Sequence, residues 1–267
     1  MVNSHDSVPT IILCGGRGTR ISEVNPFVPK PMLPIGNRPM LWHIMKIYAA
    51  YGFADFVLAL GYLGEEIRRF FLHYQAMTCD FTIELGQRDS VEYLNHPPED
   101  GWRITCRDTG LDSLTGTRVR RAAQDLPDGP IMVTYGDGVG DVDVRALLEY
   151  HRSQGRLATL TAVHPPGRFG ELMIDDGRVV EFAEKPQTST GSISGGFMVI
   201  EREAIDRYIP ADRDVMLERE PLSRLAADGQ LSAFHHDGFW QPMDTQRERD
   251  LLMRLWDSGK APWKVWD

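Results

Sequence analysis

Short apolar runs alternate with amphipathic segments along most of the chain. Runs such as Phe56–Leu60 are continuously apolar, which is typical of strands buried on both faces of a sheet. Segments such as Pro39–Tyr51 place apolar residues at helical spacing. The alternation predicts an α/β fold of repeated βαβ units, a mostly parallel sheet in three layers with helices on both faces. The predicted strands are Thr10–Cys14, Phe56–Leu60, Phe81–Leu85, Ile104–Arg107, Ile131–Tyr135 and Leu157–Val163, and the predicted helices are Pro39–Tyr51, Glu65–Tyr74, Thr117–Gln124, Val142–Gln154 and Thr245–Trp256.

The pattern changes after Pro165, where short apolar runs are separated by glycine turns. The runs Leu172–Ile174, Val179–Ala183 and Ser194–Ile200 predict a small antiparallel or mixed extension of the sheet. Such an extension needs no helix between its strands, because antiparallel neighbours are joined by short turns.

The two ends of the chain differ in character. Residues 1–9 are short and polar, which predicts a flexible lead-in without a signal peptide, and residues 10–267 are expected to form one domain. The last segment carries Trp256, Trp263 and Trp266. Such a concentration of indoles is expected either in the chain's own core or at a contact between subunits, and the sequence leaves both open.

Composition narrows the class of protein. The 267 residues carry a net charge of −9, which argues against non-specific nucleic-acid binding. No apolar run approaches the ~18 residues of a membrane span. The three cysteines show no C-x-x-C spacing, which predicts reduced thiols in a cytoplasmic protein.

A glycine-rich turn directly follows the first predicted strand. Glycines without Cβ atoms let main-chain N–H groups approach an anion, and the cations that follow them indicate a phosphate-rich ligand. The dinucleotide fingerprint would need glycine at Ile21, and the P-loop would need a lysine after Gly18. A plain glycine turn with surface charges is the remaining alternative. The candidate nucleotide-binding residues here are Gly15, Gly16, Gly18, Thr19, Arg20 and Lys30.

At this point the chain resembles the sugar-nucleotide pyrophosphorylase family of nucleotidyltransferases. The resemblance lies in GGRGTR at 15–20, PKP at 29–31, YGDG at 135–138, EKP at 184–186 and GGF at 195–197. Longer strings, among them DTGLDSLTGTRVRR and HDGFWQPMDT, resemble one branch of that family, the glucose-1-phosphate cytidylyltransferases. The resemblance implies a Rossmann-like, GT-A-like nucleotidyltransferase fold.

The resemblance also implies a reaction, substrates and a cofactor. A phosphate oxygen of glucose 1-phosphate would attack the α-phosphorus of CTP, giving CDP-glucose and pyrophosphate, with Mg²⁺ as cofactor and a homo-oligomer as the assembly. The nucleophile is already an anion near neutral pH, since the second pKa of a phosphate monoester is about 6, and no general base is required. The same chemistry with dTTP or UTP is an alternative, and a non-catalytic nucleotide-sugar-binding subunit is another.

Two aspartates are the candidate metal ligands. Asp137 stands between two glycines at the end of a buried run, which suits Mg²⁺, although D-G is also a common turn. Asp244 is a metal ligand by resemblance. The residue pattern alone favours a helix N-cap at Asp244, because a helical run opens at Thr245.

The remaining site assignments come from the resemblance. Lys185 would contact the sugar phosphate, although an ordinary exposed ion pair is the plain alternative. Arg118 would donate to the base, although a first-turn or surface arginine is the plain alternative. Three residues depart from the family pattern: Cys14 is a mild change, whereas Thr117 and Ser194 lie near the implied base or sugar sites and leave the exact substrates open. The implied catalytic residues are Arg20, Lys30, Asp137 and Lys185, the implied base-binding residues are Gly110 and Arg118, and the implied sugar-phosphate-binding residues are Glu184, Lys185, Gly195 and Gly196.

Overall fold

A computed structural model describes residues 8–18, 27–86, 90–165 and 191–267, and the backbone of 171–175 and 178–183. Its strands are β1 Thr10–Leu13, β2 Pro34–Ile35, β3 Arg38–Pro39, β4 Asp55–Leu60, β5 Phe81–Thr82, β6 Glu92–Tyr93, β7 Arg103–Asp108, β8 Pro130–Tyr135, β9 Gly138–Gly140, β10 Ala158–Val163, β11 Glu171–Asp175, β12 Arg178–Ala183, β13 Ile193–Glu201, β14 Leu231–His236 and β15 Trp240–Pro242. Its α-helices are α1 Met40–Ala50, α2 Gly64–Leu72, α3 Tyr74–Thr78, α4 Thr115–Ala122, α5 Val144–Gln154, α6 Arg202–Tyr208, α7 Glu220–Ala227 and α8 Gln246–Asp257, and Lys30–Met32 forms a 3₁₀ turn. Across these ranges, no helix has the length and apolar character needed to cross a bilayer.

A seven-stranded sheet forms the centre of the molecule, in the order β14-β10-β13-β8-β1-β4-β7. The pairs β8–β1, β1–β4, β4–β7 and β10–β14 are parallel. Only β13 runs against its two neighbours, β8 and β10. The predicted α/β fold with a mostly parallel sheet is therefore confirmed.

Alternate residues of each central strand point to opposite faces of the sheet and enter two separate cores. Ile12 and Met132 belong to the core formed with α1, α5 and α8, whereas Ile11 and Val133 belong to the core formed with α4, α6 and α7. All four side chains are fully buried. Because strands buried on both faces have no polar side, they appear in sequence as continuous apolar runs. The two cores make the structure three-layered, as predicted.

The strand predicted at Ser194–Ile200 exists, but its predicted place in the extension is wrong. It lies within β13, in the middle of the main sheet, with Met198 opposite Val133 of β8. The predicted strand Phe81–Leu85 is also reduced, because only Phe81–Thr82 is strand, paired with Glu92–Tyr93 in a separate hairpin. The antiparallel extension itself consists of β11 and β12.

The tryptophans of the C-terminal segment pack inside the chain's own core. The ring of His43 lies 4.5 Å from that of Trp256, and Trp42 meets Trp266 at 5.7 Å between ring centroids. Trp263 is fully buried and its indole N–H donates to Nδ1 of His43 at 3.4 Å. Burial lowers the pKa of His43 to about 4, so the imidazole is neutral at physiological pH and can accept this hydrogen bond. Of the two alternatives for the tail, packing on the chain's own core is the one observed.

Replacing Trp263 by alanine should lower the free energy of unfolding by about 3–5 kcal/mol, because it leaves a large cavity among aromatic rings. Denaturant unfolding followed by circular dichroism measures this loss. Trp266→Ala is the matched control, since Trp266 is only partly buried, and should cost clearly less. Equal losses in the two variants would contradict the packing role assigned to Trp263.

Candidate active site

The candidate site lies where the carboxyl ends of two adjacent parallel strands meet. Leu13, the last residue of β1, is opposite Tyr135, the last residue of β8. The glycine turn continues from β1, and Asp137 lies two residues beyond β8. The backbone N–H of Gly136 donates to the carbonyl of Leu13 at 3.0 Å, which holds the segments that follow β1 and β8 side by side. Ligands of open α/β sheets bind at this edge.

The glycine turn approaches a buried guanidinium closely. A Cβ atom at Gly15 would lie 2.2 Å from Nη1 of Arg118, so any larger residue there would have to displace the guanidinium. Gly18 adopts a φ of +57° and faces the Cβ of Lys30, where an added methyl group would be 3.1 Å away. The turn is therefore shaped by two cationic side chains, and both positions need glycine for steric or conformational reasons.

Arg118 is one of the most buried charged residues of the structure, with 4% of its surface exposed. Its Nη2 donates to the carbonyls of Gly15 and Leu111 at 3.0 and 3.1 Å, and its Nη1 donates to Leu60, Thr109 and Gly110 at 2.8–3.1 Å. Arg118 lies in the first turn of α4, as one part of the alternative had it, but the other part, a surface arginine, is wrong. In this structure the guanidinium ties the glycine turn to the ends of β4 and β7. A hydrogen bond from Arg118 to a base would share or replace these bonds, and that role stays a prediction.

Lys30 joins the two candidate metal ligands. Its ammonium donates to Oδ2 of Asp137 at 2.6 Å and to Oδ1 of Asp244 at 2.5 Å. Burial opposes the charged ammonium, but the two carboxylates outweigh it, so the pKa of Lys30 is raised. Pro29 and Pro31 flank Lys30 and restrict the backbone that carries the ammonium into the cleft.

Two short strands bring the aspartates together from distant parts of the chain. β9 follows Asp137, β15 precedes Asp244, and the two strands pair with Gly138 opposite Pro242. The N–H of Met243 then donates to the carbonyl of Asp137 at 2.8 Å. This ladder fixes both carboxylates next to the ammonium of Lys30.

The helix cap expected at Asp244 lies one residue further on. Thr245 is the N-cap of α8, and its side chain accepts from the N–H of Glu248 in a capping box. The N–H of Asp244 also donates to the carboxylate of Glu248, at 2.7 Å. The carboxylate of Asp244 is thus directed to Lys30 and the cleft, and its interpretation as an N-cap is wrong.

The pair Asp137 and Asp244 fits a divalent cation. Both carboxylates have an oxygen within hydrogen-bond distance of a single nitrogen, so they are close enough to bind one ion between them. Both side chains are partly exposed to the cleft, at 35% and 25%. Mg²⁺ binds one or two carboxylates and completes its shell with phosphate oxygens and water, which this open arrangement permits.

The paired glycines of β13 lie beside Tyr135. Gly196 has a φ of +80°, and a Cβ atom there would be 2.6 Å from the Tyr135 ring. A Cβ atom at Gly195 would meet Val163 at the same distance. The indole N–H of Trp240 donates to the carbonyl of Gly195 at 2.7 Å. This bond links the glycine pair to β15, the strand that precedes Asp244.

One cleft of about 450 Å³ is lined by most of the predicted site residues that the structure describes. Gly18 also lines it, and Gly110 is joined to it through the hydrogen bond from Arg118. Gly195 and Gly196 border the neighbouring wall through Tyr135. Four predicted residues, Thr19, Arg20, Glu184 and Lys185, lie outside the described residues. The predicted residues with side chains or backbone in the cleft are Gly15, Gly16, Lys30, Arg118, Asp137 and Asp244.

Cys14 also lines the cleft, but its chemistry is that of a buried thiol. Burial raises its pKa far above the ordinary value, with further contributions from Cys106 and Asp137. A thiol that keeps its proton is a poor nucleophile. Cys14 therefore contributes shape to the cleft and no covalent chemistry.

Sequence reasoning missed one wall of the cleft, formed by Thr115 at the start of α4 and by Met216. Thr115 lies between Gly110 and Arg118, the two residues that the resemblance implies for the base, whereas Met216 lies in a three-residue apolar run within a highly charged stretch. No motif marks Met216, and only the long-range packing of residues 214–218 on α4 places it here.

A model of the nucleotidyl transferase family matches residues 9–245, the span that contains the glycine turn, Lys30 and both aspartates. The chain belongs to the nucleotidyl transferase family. The family resemblance seen in the sequence motifs is thereby confirmed. The match ends at the residue that caps α8, just after Asp244.

Similar proteins cover nearly the whole chain. Glucose-1-phosphate cytidylyltransferase of Salmonella typhi is 45% identical over 259 residues, which are 96% of this chain and 99% of that protein. A probable glucose-1-phosphate cytidylyltransferase of Bacillus subtilis (strain 168) is 41% identical over 256 residues, with the same shares of the two chains.

Solved structures share the fold at low identity. A putative glucose-1-phosphate thymidylyltransferase from Bacillus anthracis, solved in complex with a sucrose, has a TM-score of 0.68 at 17% identity and covers 98% of each chain. HddC from Yersinia pseudotuberculosis has a TM-score of 0.67 at 21% identity, over 93% of this chain and 99% of its own. At such identities the likeness concerns the fold alone.

Proposed function

We propose that the protein transfers a cytidylyl group from CTP to glucose 1-phosphate, giving CDP-glucose and pyrophosphate. The observation that carries this proposal is the 45% identity to glucose-1-phosphate cytidylyltransferase of Salmonella typhi over nearly the full length of both chains. The position of Lys30, Asp137 and Asp244 in one cleft at the carboxyl edge of the sheet supports it.

The chemistry asks the protein to bring two anions together. The attacking phosphate of glucose 1-phosphate is already ionised, so the residues act by positioning and by charge stabilisation. The glycine turn offers backbone N–H groups at a strand end, and Lys30 offers an ammonium inside the cleft. Charged donors of this kind stabilise the negative charge that builds up on a leaving pyrophosphate.

We place Mg²⁺ at Asp137 and Asp244, whose carboxylates both face the cleft. When bound there, the ion would supply positive charge to the phosphate oxygens of the nucleotide. Before the ion binds, Lys30 holds the two carboxylates together, and the β9–β15 ladder fixes their backbones.

Four residues complete the proposal from the family resemblance. By resemblance, Thr19 and Arg20 bind the triphosphate, and Arg20 would stabilise the leaving pyrophosphate through its guanidinium, which suits phosphate oxygens. By the same resemblance, Lys185 binds the sugar phosphate and Glu184 binds the sugar hydroxyls.

The base is assigned to the side of the cleft formed by Gly110 and Arg118. Arg118 donates to the carbonyls of Gly110 and Gly15 and so holds the segment after β7 next to the glycine turn. These bonds shape the base side of the cleft whether or not Arg118 itself contacts the base. The runner-up function is the same transfer from dTTP or UTP, because the departures from the branch pattern at Thr117 and Ser194 leave the exact substrates open.

Pyrophosphate release measured with glucose 1-phosphate and each of CTP, dTTP, UTP and ATP should give the highest kcat/KM with CTP, by at least about tenfold. Discrimination of this size corresponds to one well-placed hydrogen bond to the base, since a factor of ten is 1.4 kcal/mol. The divalent requirement is tested in the same assay by adding EDTA, which should abolish release.

Equal rates with CTP and dTTP would refute the cytidylyl assignment while leaving the transfer chemistry intact. No release with any triphosphate would instead favour the non-catalytic binding subunit. Mannose 1-phosphate serves as the control acceptor, because it carries the same phosphate on a different sugar.

Location and assembly stay predictions. Cys14, Cys79 and Cys106 are free thiols, which suits the cytoplasm. The homo-oligomer implied by the resemblance is not supported by the C-terminal tryptophans, because they pack within one chain. Neither nucleic acid nor membrane is expected as a partner of this acidic protein.

A further inference from the structure

Residues 214–218 lie across the first turn of α4 and are fixed to it by backbone hydrogen bonds. The carboxylate of Asp214 accepts from the N–H of Leu114 at 3.0 Å, and the carbonyl of Val215 accepts from the N–H of Gly116, also at 3.0 Å. The first turn of a helix has N–H groups without partners inside the helix. Residues 214–218 supply those partners, so the segment and the start of α4 form one unit.

Side chains strengthen this attachment. The N–H of Val215 donates to Oγ1 of Thr117 at 3.1 Å, and the N–H of Leu217 donates to Oγ1 of Thr115 at 2.9 Å. Both hydroxyls belong to α4. The segment therefore has its backbone held on both sides of Met216, whose side chain lines the cleft.

Glu218, at the end of this segment, accepts hydrogen bonds from two hydroxyl groups on different walls of the cleft. The phenol of Tyr135 donates to Oε1, and Oγ1 of Thr115 donates to Oε2 at 2.6 Å. Burial and the Glu218 carboxylate both raise the pKa of Tyr135, so the phenol keeps its proton and remains a donor. One carboxylate thus connects the end of β8 with the start of α4.

The two donors together border both substrate regions of the proposed reaction. Thr115 and Tyr135 both line the cleft that contains the glycine turn, and Tyr135 in addition faces the glycine pair of β13. The ring of Tyr135 packs against Gly196, where a Cβ atom would come within 2.6 Å of the ring. A second cavity, lined by Tyr135, Ser194 and Glu218, opens beside this glycine pair. Any rotation of the Tyr135 ring would therefore alter the space beside Gly195 and Gly196, the residues assigned to the sugar.

We propose that Glu218 is a positioning residue. It sets the distance between the side of the cleft next to the glycine turn, assigned to the nucleotide, and the side next to Gly195 and Gly196, assigned to the sugar. By accepting from Tyr135 and Thr115 together, it holds the Tyr135 ring against the glycine pair and keeps α4 in place across the cleft. This inference rests on the proposed function, in which the two substrates bind on these two walls. The competing view is that Glu218 is an exposed carboxylate whose hydrogen bonds matter only for stability.

Steady-state kinetics of Glu218→Ala tests the inference. A misplacement of about 1 Å can cost about 100-fold in rate, so kcat/KM for glucose 1-phosphate should fall by about 10- to 100-fold at saturating CTP. The KM for glucose 1-phosphate should rise as well as kcat falling, because a loss of folded enzyme alone would lower kcat only. Glu218→Gln keeps one acceptor oxygen and should lie between the wild type and Glu218→Ala.

A double-mutant cycle with Tyr135→Phe identifies the pair through which Glu218 acts. Tyr135→Phe alone should lower kcat/KM, but in the Glu218→Ala background it should have no further effect, since the hydrogen bond is already lost. Tyr208→Phe is the matched control. Its hydroxyl donates to Asp228 at 2.8 Å in a similar tyrosine–carboxylate bond on α6, and its loss should leave kinetics unchanged.

The outcomes separate this inference from the function on which it rests. A wild-type protein that releases no pyrophosphate with any nucleotide refutes the proposed function and the positioning role with it. A turning-over wild type with unchanged KM in Glu218→Ala refutes the positioning role alone. Additive losses in the double mutant also refute it, because independent effects mean that Tyr135 and Glu218 do not act as one unit.

Discussion

Asp137→Asn should lower pyrophosphate release from CTP and glucose 1-phosphate by at least about 1,000-fold while leaving the fold unchanged. Loss of a single preorganised electrostatic contact to a transition state already costs about 100- to 1,000-fold. Asp137 is a proposed ligand of the divalent ion, so its loss would remove the charge that this ion supplies to the phosphate oxygens, and its carboxylate also accepts from Lys30 before substrates bind. Asparagine keeps the shape of the side chain and loses its charge.

The fold of Asp137→Asn should survive because the backbone at residue 137 is held independently of the side chain. The carbonyl of Asp137 accepts from the N–H of Met243, and β9 pairs with β15 directly beyond it. A thermal melt should therefore remain within a few degrees of the wild type. The rate is measured with a coupled pyrophosphate assay across a range of Mg²⁺ concentrations.

Asp143→Asn is the matched control for this experiment. Asp143 caps α5 through its side chain, which accepts from the N–H groups of Arg145 and Ala146, and asparagine caps helices equally well. The same chemical change six residues away should therefore leave activity near the wild-type level. Turnover by Asp137→Asn within tenfold of the wild type would contradict the role assigned to Asp137.

The sheet could be predicted because its strands are buried on both faces. The continuous apolar runs that become β4 and β8 carry that information locally. The position of β13 could not be predicted in the same way. A run such as Ser194–Ile200 has the same appearance at the edge of an extension and in the centre of a sheet, because strand order is decided by pairing with residues far away in sequence.

The site was predictable to the extent that its residues occur in motifs. Lys30, Asp137 and Asp244 are far apart in sequence, and only the resemblance predicted that they act together. The N-cap assigned to Asp244 could have been corrected from the local sequence. Thr245 and Glu248 have the spacing of a capping box, which places the start of the helix one residue later. Glu218 and Met216 had no such signal, since their positions depend on hydrogen bonds between residues 214–218 and α4.

Lys30→Met should abolish turnover and, in the absence of nucleotide, strengthen the binding of a divalent cation by at least about tenfold. The ammonium lies between the two carboxylates, and any cation that binds both of them competes with it. Two unit charges about 4 Å apart interact by about 4 kcal/mol near a protein surface, well above the 1.4 kcal/mol of a tenfold change. Methionine keeps the length of the side chain and removes the competing charge.

Titration calorimetry with Mn²⁺ measures this affinity without any turnover, and the pyrophosphate assay measures the loss of rate. Lys46→Met is the matched control, because Lys46 lies over the rings of Trp42 and Trp266 and should leave Mn²⁺ binding as in the wild type. If Lys30→Met binds Mn²⁺ no better than the wild type, Asp137 and Asp244 do not form the cation site. If it binds Mn²⁺ more tightly and no longer turns over, Lys30 has two separable roles: it is the counter-ion of the acidic pair before substrates bind, and the phosphate ligand during the reaction. The raised pKa of Lys30, which is caused by the two carboxylates, keeps the ammonium charged in the first of these roles.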